Sequence, residues 1–305
     1  MNKTIDTYYG NIFADIPKSD FISQCLYEYG EWGLLECYFV SQLLPKGYIA
    51  VDIGAFIGTF SLGLSIFGAS KIIAAEPNPL VLPSLKFNLD TNCNIPYHLI
   101  ETAIGLQDGE QWTLAVDENN LGGTQLVKSS SENSSNITVT ELKTIRSLYG
   151  EYDLLKIDAE GHENNIILSD KDYIAHKCKI VFFEENEDSE HEEIIEFLLN
   201  NQFNLYLCIF PVYNENNYNA SKKRLFNIAC EANILASRTP IAMNDELKKL
   251  GCDMIAFKSL EEFQIIRHHV PRWGETSWSN LSKTELKGLL SKTTIRIHSL
   301  MDKNK

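Results

Sequence analysis

The stretch Tyr48-Ile-Ala-Val-Asp52-Ile-Gly54-Ala-Phe-Ile-Gly58-Thr-Phe60 decides the fold. Its first half is a short apolar run, which is typical of a strand that is buried on both faces. Asp52 closes the run, two glycines break it, and an apolar helix follows from Phe60. A strand, a glycine turn and a helix within about 20 residues match the first unit of a doubly wound α/β sheet. The glycines let a ligand approach the backbone, and the N-terminus of the helix offers unpaired N–H groups.

Three features of the glycine turn favour S-adenosylmethionine (SAM) over a dinucleotide. The motif Gly54-x-x-x-Gly58 lacks the third glycine of the dinucleotide-binding fingerprint. Asp52 stands inside the turn, where it would repel a pyrophosphate but would suit an ammonium group. Glu76 ends the second predicted strand, and a carboxylate at that place accepts hydrogen bonds from ribose hydroxyls. The alternative is that Asp52 and Glu76 are ordinary acids at strand ends.

Composition restricts the partners and the compartment. The chain has 305 residues and a net charge of −14, so its average surface would repel nucleic-acid phosphate. The seven cysteines are scattered and never in C-x-x-C spacing, which indicates reduced thiols, a cytoplasmic location and no zinc site. The sequence has neither an apolar signal region nor an 18-residue apolar segment, so we expect no membrane span.

We divide the chain into three regions. Residues 1–45 are predicted to form an arm and a helix that act as a lid, and residues 46–240 to form the SAM-binding core. Residues 241–305 are predicted to form a helical C-terminal appendage, whose role is substrate cover or a dimer face. Within the core, residues 117–135 are polar and rich in Ser, Asn and Gly, which predicts a mobile loop near the mouth of the site.

Further candidate groups follow three more predicted strands. The strand at 97–100 leads to Ala103 and Ile104, where an adenine ring could sit. The strand at 152–157 ends in Asp158-Ala-Glu160-Gly-His162-Glu163, and the strand at 179–183 ends in Glu184-Glu185-Asn186. Open α/β sheets bind ligands at the carboxyl ends of their strands, so these groups are expected to face one crevice.

The segment 213–219 is rich in asparagine and tyrosine. Amide and phenol groups suit a polyhydroxylated ligand such as a glycan, through hydrogen bonds and ring stacking. Turn-forming asparagines are an equally good interpretation.

Four motifs in order resemble the FkbM family of SAM-dependent methyltransferases. They are Val51–Gly58, Glu76-Pro-Asn-Pro79, Ala103-Ile-Gly105 and Leu155–Glu163, and the resemblance spans roughly residues 29–237. It implies a class I methyltransferase fold, which is Rossmann-like and doubly wound, with a mostly parallel seven-stranded sheet that has one antiparallel strand. It also implies O-methylation of hydroxyls on natural products and sugars. The family usually has Asn where this chain has Phe56.

The SAM interpretation assigns a role to each part of the turn. Glu76 would bind the ribose, Gly54 and Gly58 the methionine part, and Asp52 the ammonium group, directly or through water. Ala103 and Ile104 would flank the adenine. The full set of predicted cofactor-binding residues is Glu31, Asp52, Gly54, Ala55, Phe56, Gly58, Thr59, Glu76, Pro77, Asn78, Ala103, Ile104 and Asp158.

The predicted catalytic residues are Asp158, Glu160 and His162. Asp158 would face the reacting methyl group, and Glu160 or His162 would accept the proton of the acceptor hydroxyl. The alternative to these catalytic roles is that Glu160 caps the following helix and that His162 is solvated. Asp158 with Glu160 could also hold a divalent metal, but the sequence offers no clear further ligand, so no metal site is predicted.

The predicted activity is O-methylation of a hydroxyl on a sugar, a glycan or a natural product. Two other functions stay open at this point. One is a nicotinamide-dependent oxidoreductase on a Rossmann sheet, and the other is a non-catalytic SAM-binding module. The expected partner is a small-molecule or glycan acceptor, with no nucleic acid.

Overall fold

The computed structural model describes residues 4–18, 20–115, 121–128, 136–185, 191–226 and 229–267. The strands are β1 (Ile5–Thr7), β2 (Gly10–Ile12), β3 (Ile49–Ile53), β4 (Lys71–Ala75), β5 (Tyr97–Ile100), β6 (Ala103–Gly105), β7 (Gln111–Ala115), β8 (Gln125–Lys128), β9 (Asn136–Glu141), β10 (Leu154–Ile157), β11 (Ile180–Glu184), β12 (Asn204–Pro211), β13 (Cys230–Ser237) and β14 (Asp253–Phe257). The helices are α1 (Phe21–Tyr29), α2 (Leu34–Gln42), α3 (Thr59–Phe67), α4 (Leu82–Asn92), α5 (Leu142–Tyr149), α6 (Glu163–Ser169), α7 (Lys171–His176), α8 (Glu192–Asn200), α9 (Asp245–Lys249) and α10 (Leu260–Arg267).

The main sheet has the strand order β14-β12-β13-β11-β10-β3-β4-β5. The five strands from β11 to β5 are parallel, and β13 runs antiparallel between β11 and β12. The seven strands from β12 to β5 therefore confirm the predicted mostly parallel sheet with one antiparallel strand. An eighth strand, β14, pairs antiparallel with the outer edge of β12.

The sheet is covered on both faces, as a doubly wound fold requires. Ala50 of β3 belongs to the hydrophobic cluster under α2, α3 and α4, whereas its neighbour Val51 belongs to the cluster under α5, α6 and α8. The same alternation recurs in β4 with Ile72 and Ile73. Because successive residues of a strand point to opposite faces, a strand covered on both faces is apolar throughout. This is the reason that the short apolar runs predicted these strands correctly.

The C-terminal region differs from its prediction. Residues 253–257 form a strand of the main sheet, although the whole of 241–305 was predicted as a helical appendage. The helix α10 begins with a side-chain cap, since the Ser259 hydroxyl accepts the Glu262 N–H. Residues 268–305 of the predicted appendage lie outside the described residues.

A second, four-stranded sheet has the order β6-β9-β7-β8. The prediction of a mobile loop over 117–135 is wrong for its described part, because residues 121–123 form a 3₁₀ turn and β8 follows. β8 pairs antiparallel with β7, so this stretch is a hairpin arm of the second sheet. The rest of that prediction, over 117–120 and 129–135, lies outside the described residues.

The N-terminal arm contains more regular structure than the predicted arm and single helix. It forms a β1–β2 hairpin and the helix α1, followed by α2, which was predicted. The fully buried Asn88 of α4 ties the arm to the glycine turn. Its amide accepts the Phe13 N–H at 2.6 Å and donates to the Phe13 and Ile57 carbonyls at 2.9 and 2.8 Å. Among the described residues, no helix is long and apolar enough to span a bilayer.

Candidate active site

A cavity of about 350 Å³ lies at the carboxyl ends of the parallel strands. This volume is within the range of small-molecule and cofactor pockets. Three sides close it: the strand ends below, the start of α1 and α2 above, and the β7–β8 hairpin at the side. The predicted residues that line it are Gly54, Phe56, Glu76, Pro77, Asn78, Ala103, Ile104, Asp158, Glu160 and His162.

Glu76 is buried at the end of β4 and touches the glycine turn. One carboxylate oxygen accepts the Phe56 N–H at 2.9 Å, and the other accepts the Asn78 N–H at 2.8 Å. Burial raises the pKa of Glu76 to about 7, against the smaller opposing effect of these two hydrogen bonds. Each oxygen keeps a second lone pair, so the carboxylate can also accept hydrogen bonds from a ligand.

The glycine turn between β3 and α3 is tight because two backbones meet there. Gly54 has a φ of +73°, and a Cβ on it would lie 1.7 Å from the Asp158 carbonyl oxygen. Phe56 also has a positive φ, of 49°. Asparagine tolerates this left-handed conformation better than phenylalanine does. This is a physical reason for the Asn that the family usually has at this position.

The side chain of Lys156 connects the ends of β3 and β10. Its ammonium lies 3.4 Å from both Asp52 and Asp158 and donates to the Gly54 carbonyl at 3.2 Å. Burial alone would lower the pKa of Lys156, but the charges of Asp158 and Asp52 outweigh burial and raise it. The lysine is therefore a buried cation that holds the turn and the end of β10 together.

Asp52 takes part in this connection and does not line the cavity. It is fully buried, and its Oδ2 accepts the Ser61 hydroxyl at 2.6 Å. The prediction of a direct contact between Asp52 and a ligand ammonium is corrected here, because the carboxylate faces Lys156 and Ser61. Ala55, Gly58 and Thr59 also lie outside the lining.

Glu31 is a further predicted cofactor residue that does not line this cavity. Its two oxygens accept the Asn214 side-chain amide at 2.9 Å and the Tyr218 N–H at 3.0 Å. Asn217 in the same loop donates to the Asn214 and Ser221 carbonyls. The side-chain amides of Asn214 and Asn217 are thus used in a turn and in a brace for the N-terminal arm. This corrects the interpretation of 213–219 as a ligand-binding loop.

The other end of the cavity is rich in carboxyl groups. One oxygen from each of Asp158, Glu160 and Glu184 lies within 4.8 Å of the other two. Glu36 of α2 and Glu231 of β13 line the same region. Burial, followed by neighbouring negative charges, raises the pKa of Glu160 to about 8 and of Glu36 to about 7. The same causes raise the pKa values of Glu184 and Glu231 well above the ordinary range.

Strand register explains why these acids converge. Lys156 pairs with Asp52 on one side and with Phe182 on the other. Two residues further along, β10 leads to Asp158 and β11 ends at Glu184, which pairs with Asn233 of β13. Side chains along a strand alternate between the two faces of the sheet. The side chains of Asp158, Glu184 and Asn233 therefore point to the same face as Lys156, which is the face covered by α2.

His162 and Glu163 hold the loop after β10. The Nε2 atom of His162 lies 2.8 Å from the Leu126 carbonyl of the hairpin, and its ring packs edge-on against Trp112. Glu163, rather than Glu160, caps this loop by accepting the Ala159 and Gly161 N–H groups. His162 is thus partly buried against the hairpin, which differs from the solvated alternative.

Comparison with known proteins identifies the family. The family model described as the methyltransferase FkbM domain matches residues 52–205, which is half of the chain. The chain belongs to the FkbM methyltransferase family. Membership implies that it is a SAM-dependent methyltransferase, and the oxidoreductase alternative is set aside. No curated protein matches the chain significantly.

Solved structures similar to this FkbM-family chain are distant from it in sequence. An FkbM methyltransferase from Methylobacillus flagellatus KT is 16% identical, with 70% of this chain and 50% of that chain covered and a TM-score of 0.43. A precorrin-6y C5,15-methyltransferase from Geobacter metallireducens GS-15 is 14% identical, with 67% and 87% covered and a TM-score of 0.42.

Sequence reasoning missed several groups of this FkbM-family site. Lys156 carried a usable signal, because a lysine inside a strand with apolar neighbours on both sides needs a buried partner. Glu231 and Asn233 alternate with apolar residues in β13, so a period-two reading could have placed them on one face. Glu36 carried no such signal, since a charged residue on a helix is ordinarily solvent-exposed.

Proposed function

We propose that this protein transfers a methyl group from SAM to a hydroxyl oxygen of a sugar, a glycan or another natural product. The observation that supports it best is the division of one cavity into two chemically different halves. Glu76 lies at the end of β4, and Glu184 lies at the end of β11, three strands further along the sheet. At a spacing of about 4.8 Å per strand, the two carboxyl groups are separated by about 14 Å across the sheet.

The half at β3, β4 and β6 is proposed to bind SAM. Glu76 accepts hydrogen bonds from the ribose hydroxyls, while Ala103 and Ile104 flank the adenine. The backbone at Gly54 approaches the methionine part, which a side chain at that position would block. Phe56, Pro77, Asn78 and Asp158 complete the lining of this half, and Asp52 acts on it through Lys156.

The half at β10, β11 and β13 is proposed to bind the acceptor. Asp158 lies between the two halves and is the group nearest to the transferred methyl. A hydroxyl acceptor must lose its proton, and His162 is suited to take it. A carbonyl oxygen can only accept hydrogen bonds, so Nε2 of His162 carries the proton and Nδ1 keeps the lone pair that a base needs. Glu160 is assigned to holding the acceptor.

Two experiments test this function. Calorimetric titration with SAM and with NAD should give saturable binding of SAM and none of NAD. Methyl transfer should then be measured on a panel of hydroxylated acceptors, with the product examined for a new methyl ether. A protein that binds SAM but methylates no acceptor in any buffer would support the non-catalytic alternative.

Variants of the two assigned residues test the roles. We expect His162→Ala to lower kcat by about 10²–10⁴-fold, which is the usual contribution of a general base. We expect Glu160→Gln to raise KM for the acceptor with a smaller effect on kcat. Both should bind SAM like the unmodified protein. Normal transfer by both variants would place the base elsewhere.

A further inference from the structure

Three carboxyl groups at the acceptor end are close enough to share one metal ion. They are Asp158, Glu160 and Glu184, with oxygens within 4.8 Å of one another. Asp158 follows β10 and Glu184 ends β11, and these strands are parallel neighbours. Glu160 joins them from the loop after β10 with a positive φ of 50°. The sheet and this loop together bring the three carboxyl groups close to one another.

A second observation points to a ligand at this place. The Oε2 atom of Glu184 is buried and has no hydrogen-bond partner among the described residues. A buried carboxylate oxygen without a partner is costly, so it marks a position where a bound group is expected. Glu184 lines the cavity, and the charged groups that act on it are Asp158, Glu160, Glu231 and Glu163, all acidic.

The cavity lining offers little positive charge to these carboxyl groups within the part of the chain that the structure describes. Lys156 is the one lysine or arginine in the lining among the described residues, and it lies 3.4 Å from Asp158. The same ammonium is already shared with Asp52 and the Gly54 carbonyl. Glu36 and Glu231 add two more carboxyl groups nearby. A bound dication would offset this repulsion.

We infer that Asp158, Glu160 and Glu184 form a site for one divalent cation of the Mg²⁺, Mn²⁺ or Ca²⁺ type at the acceptor end of the cavity. Three carboxylate oxygens are the ligands that these hard cations prefer. The absence of sulfur and imidazole from the trio disfavours zinc and copper. The sequence alone had offered only Asp158 and Glu160, and Glu184 from the neighbouring strand supplies the third ligand.

The cation site also indicates the class of acceptor. This step rests on the proposed methyl transfer, whereas cation binding does not. Three protein ligands leave about three of six coordination positions for water and acceptor oxygens. An acceptor with two neighbouring oxygens, such as a vicinal diol, would chelate the ion.

Methyl transfer to such an acceptor can be written with a destination for every proton and bond. Coordination lowers the pKa of the hydroxyl, and its proton passes to Nδ1 of His162. The oxygen then forms a bond to the methyl carbon as the carbon–sulfur bond of SAM breaks. The products are a methyl ether and S-adenosylhomocysteine, and His162 returns its proton to water.

Binding of the metal alone tests the inference. The full chain is treated with a chelator, and Mn²⁺ is titrated without SAM or acceptor, with bound ion followed by electron paramagnetic resonance and calorimetry. We expect one ion per chain, and Mg²⁺ should compete for it. Glu184→Gln should weaken Mn²⁺ binding by at least about tenfold. Glu36→Gln is the matched control, because it removes a carboxylate from the same cavity but not from the trio, and it should change Mn²⁺ binding much less.

The outcomes separate the cation site from the methyl transfer. If Mn²⁺ does not saturate a single site, or if Glu36→Gln and Glu184→Gln weaken its binding equally, the cation site is wrong. If Mn²⁺ binds at the trio but SAM does not bind, the proposed function fails and the cation site stands. Thermal unfolding of the chelator-treated variants checks their folding. Glu184→Gln should not lower the midpoint, because it removes a repelled carboxylate.

Discussion

A Cβ on Gly54 would lie 1.7 Å from the carbonyl oxygen of Asp158. The turn after β3 and the end of β10 therefore meet through their backbones, with no room for a side chain between them. The Gly54 N–H also donates to the Ala75 carbonyl of β4. Three neighbouring strand ends are thus held together at the position where the methionine part of SAM is proposed to bind.

This contact predicts that Gly54→Ala abolishes SAM binding and destabilises the fold. Alanine at a φ of +73° costs about 1–2 kcal/mol for the left-handed backbone. The clash with the Asp158 carbonyl adds about 1–3 kcal/mol, in the range of overpacked interiors. Chemical denaturation and SAM titration measure the two effects.

Gly109→Ala is the matched control for Gly54→Ala. Gly109 has a φ of +84°, but a Cβ there meets nothing within 4 Å. It should therefore show the cost of the left-handed backbone alone and bind SAM normally. Equal losses in the two variants would mean that the contact with Asp158 is unimportant.

The contact between Gly54 and Asp158 also shows what the sequence could predict. Apolar runs and glycines identified β3, β4 and the turn, because burial on both faces leaves a local signature. The approach of Asp158 to Gly54 depends on the order of strands, which local patterns do not encode. The strand-end rule for open α/β sheets predicted that Asp158 faces the crevice, and Asp158 does line the cavity.

The structural roles of two acids, Glu31 and Asp52, could not be predicted from local sequence patterns for a different physical reason. Asp52 was predicted to bind the ammonium group, directly or through water, and Glu31 was among the predicted cofactor-binding residues. In the folded chain each has found an internal partner, Glu31 in the Asn214 amide and Asp52 in Lys156 and Ser61. Such partners are distant in sequence, so only the tertiary structure distinguishes a ligand-binding acid from a structural one.

Lys156→Met is predicted to destabilise the protein strongly. It removes the cation that the buried Asp52 faces at 3.4 Å. Breaking a buried ion pair from one side costs about 3–5 kcal/mol, because an uncompensated charge stays inside. The free energy of unfolding, measured in denaturant, should fall by that amount.

Two controls identify the cause of the effect at Lys156. Lys179 forms an exposed pair with Asp153 at 2.7 Å, so Lys179→Met should cost about 0–1 kcal/mol. Adding Asp52→Asn to Lys156→Met should recover part of the stability, because the stranded carboxylate is removed. If the double variant is no more stable than the single one, lost packing and not stranded charge explains the cost.

SAM affinity is predicted to rise with pH around neutrality. The pKa of Glu76 is raised to about 7 in the folded protein, so its carboxyl group is mostly protonated at pH 6. The ionised form offers the ribose more acceptor sites, so affinity should be lost as pH falls through 7, by about tenfold per unit below it. The charges that act on Glu76 are Lys156, which lowers this pKa, and Asp158, which raises it.

Calorimetric titrations with SAM between pH 6 and 8.5 measure this dependence. Glu76→Gln should bind more weakly and show a flatter profile. Glu36, whose pKa is also raised to about 7, lies in the same cavity and serves as the control. Glu36→Gln should keep the slope. A profile that persists in Glu76→Gln and flattens in Glu36→Gln would assign the titration to the acceptor half.

His191 is buried outside the cavity, and we predict that it makes the stability of the fold depend on pH. Its two ring nitrogens face carboxylates, with Nδ1 2.6 Å from Glu185 and Nε2 3.4 Å from Glu163. Burial opposes the charged form, but the hydrogen bonds to Glu163 and Glu185 outweigh it and raise the pKa of His191. Arg267 also binds Glu185 at 2.7 Å, so α10 is connected to the capped loop that carries Glu160.

A histidine whose pKa is raised by folding stabilises the folded state. The stabilisation is complete at pH values below the unfolded pKa of about 6.5, and it is lost as the pH rises through the folded pKa. The unfolding free energy of the unmodified protein should therefore exceed that of His191→Asn by about 3–5 kcal/mol at pH 6. The difference should shrink toward pH 9. His176→Asn, at an exposed histidine, should show no such trend. A difference that is constant with pH would mean that His191 is neutral in the folded protein and acts by packing alone.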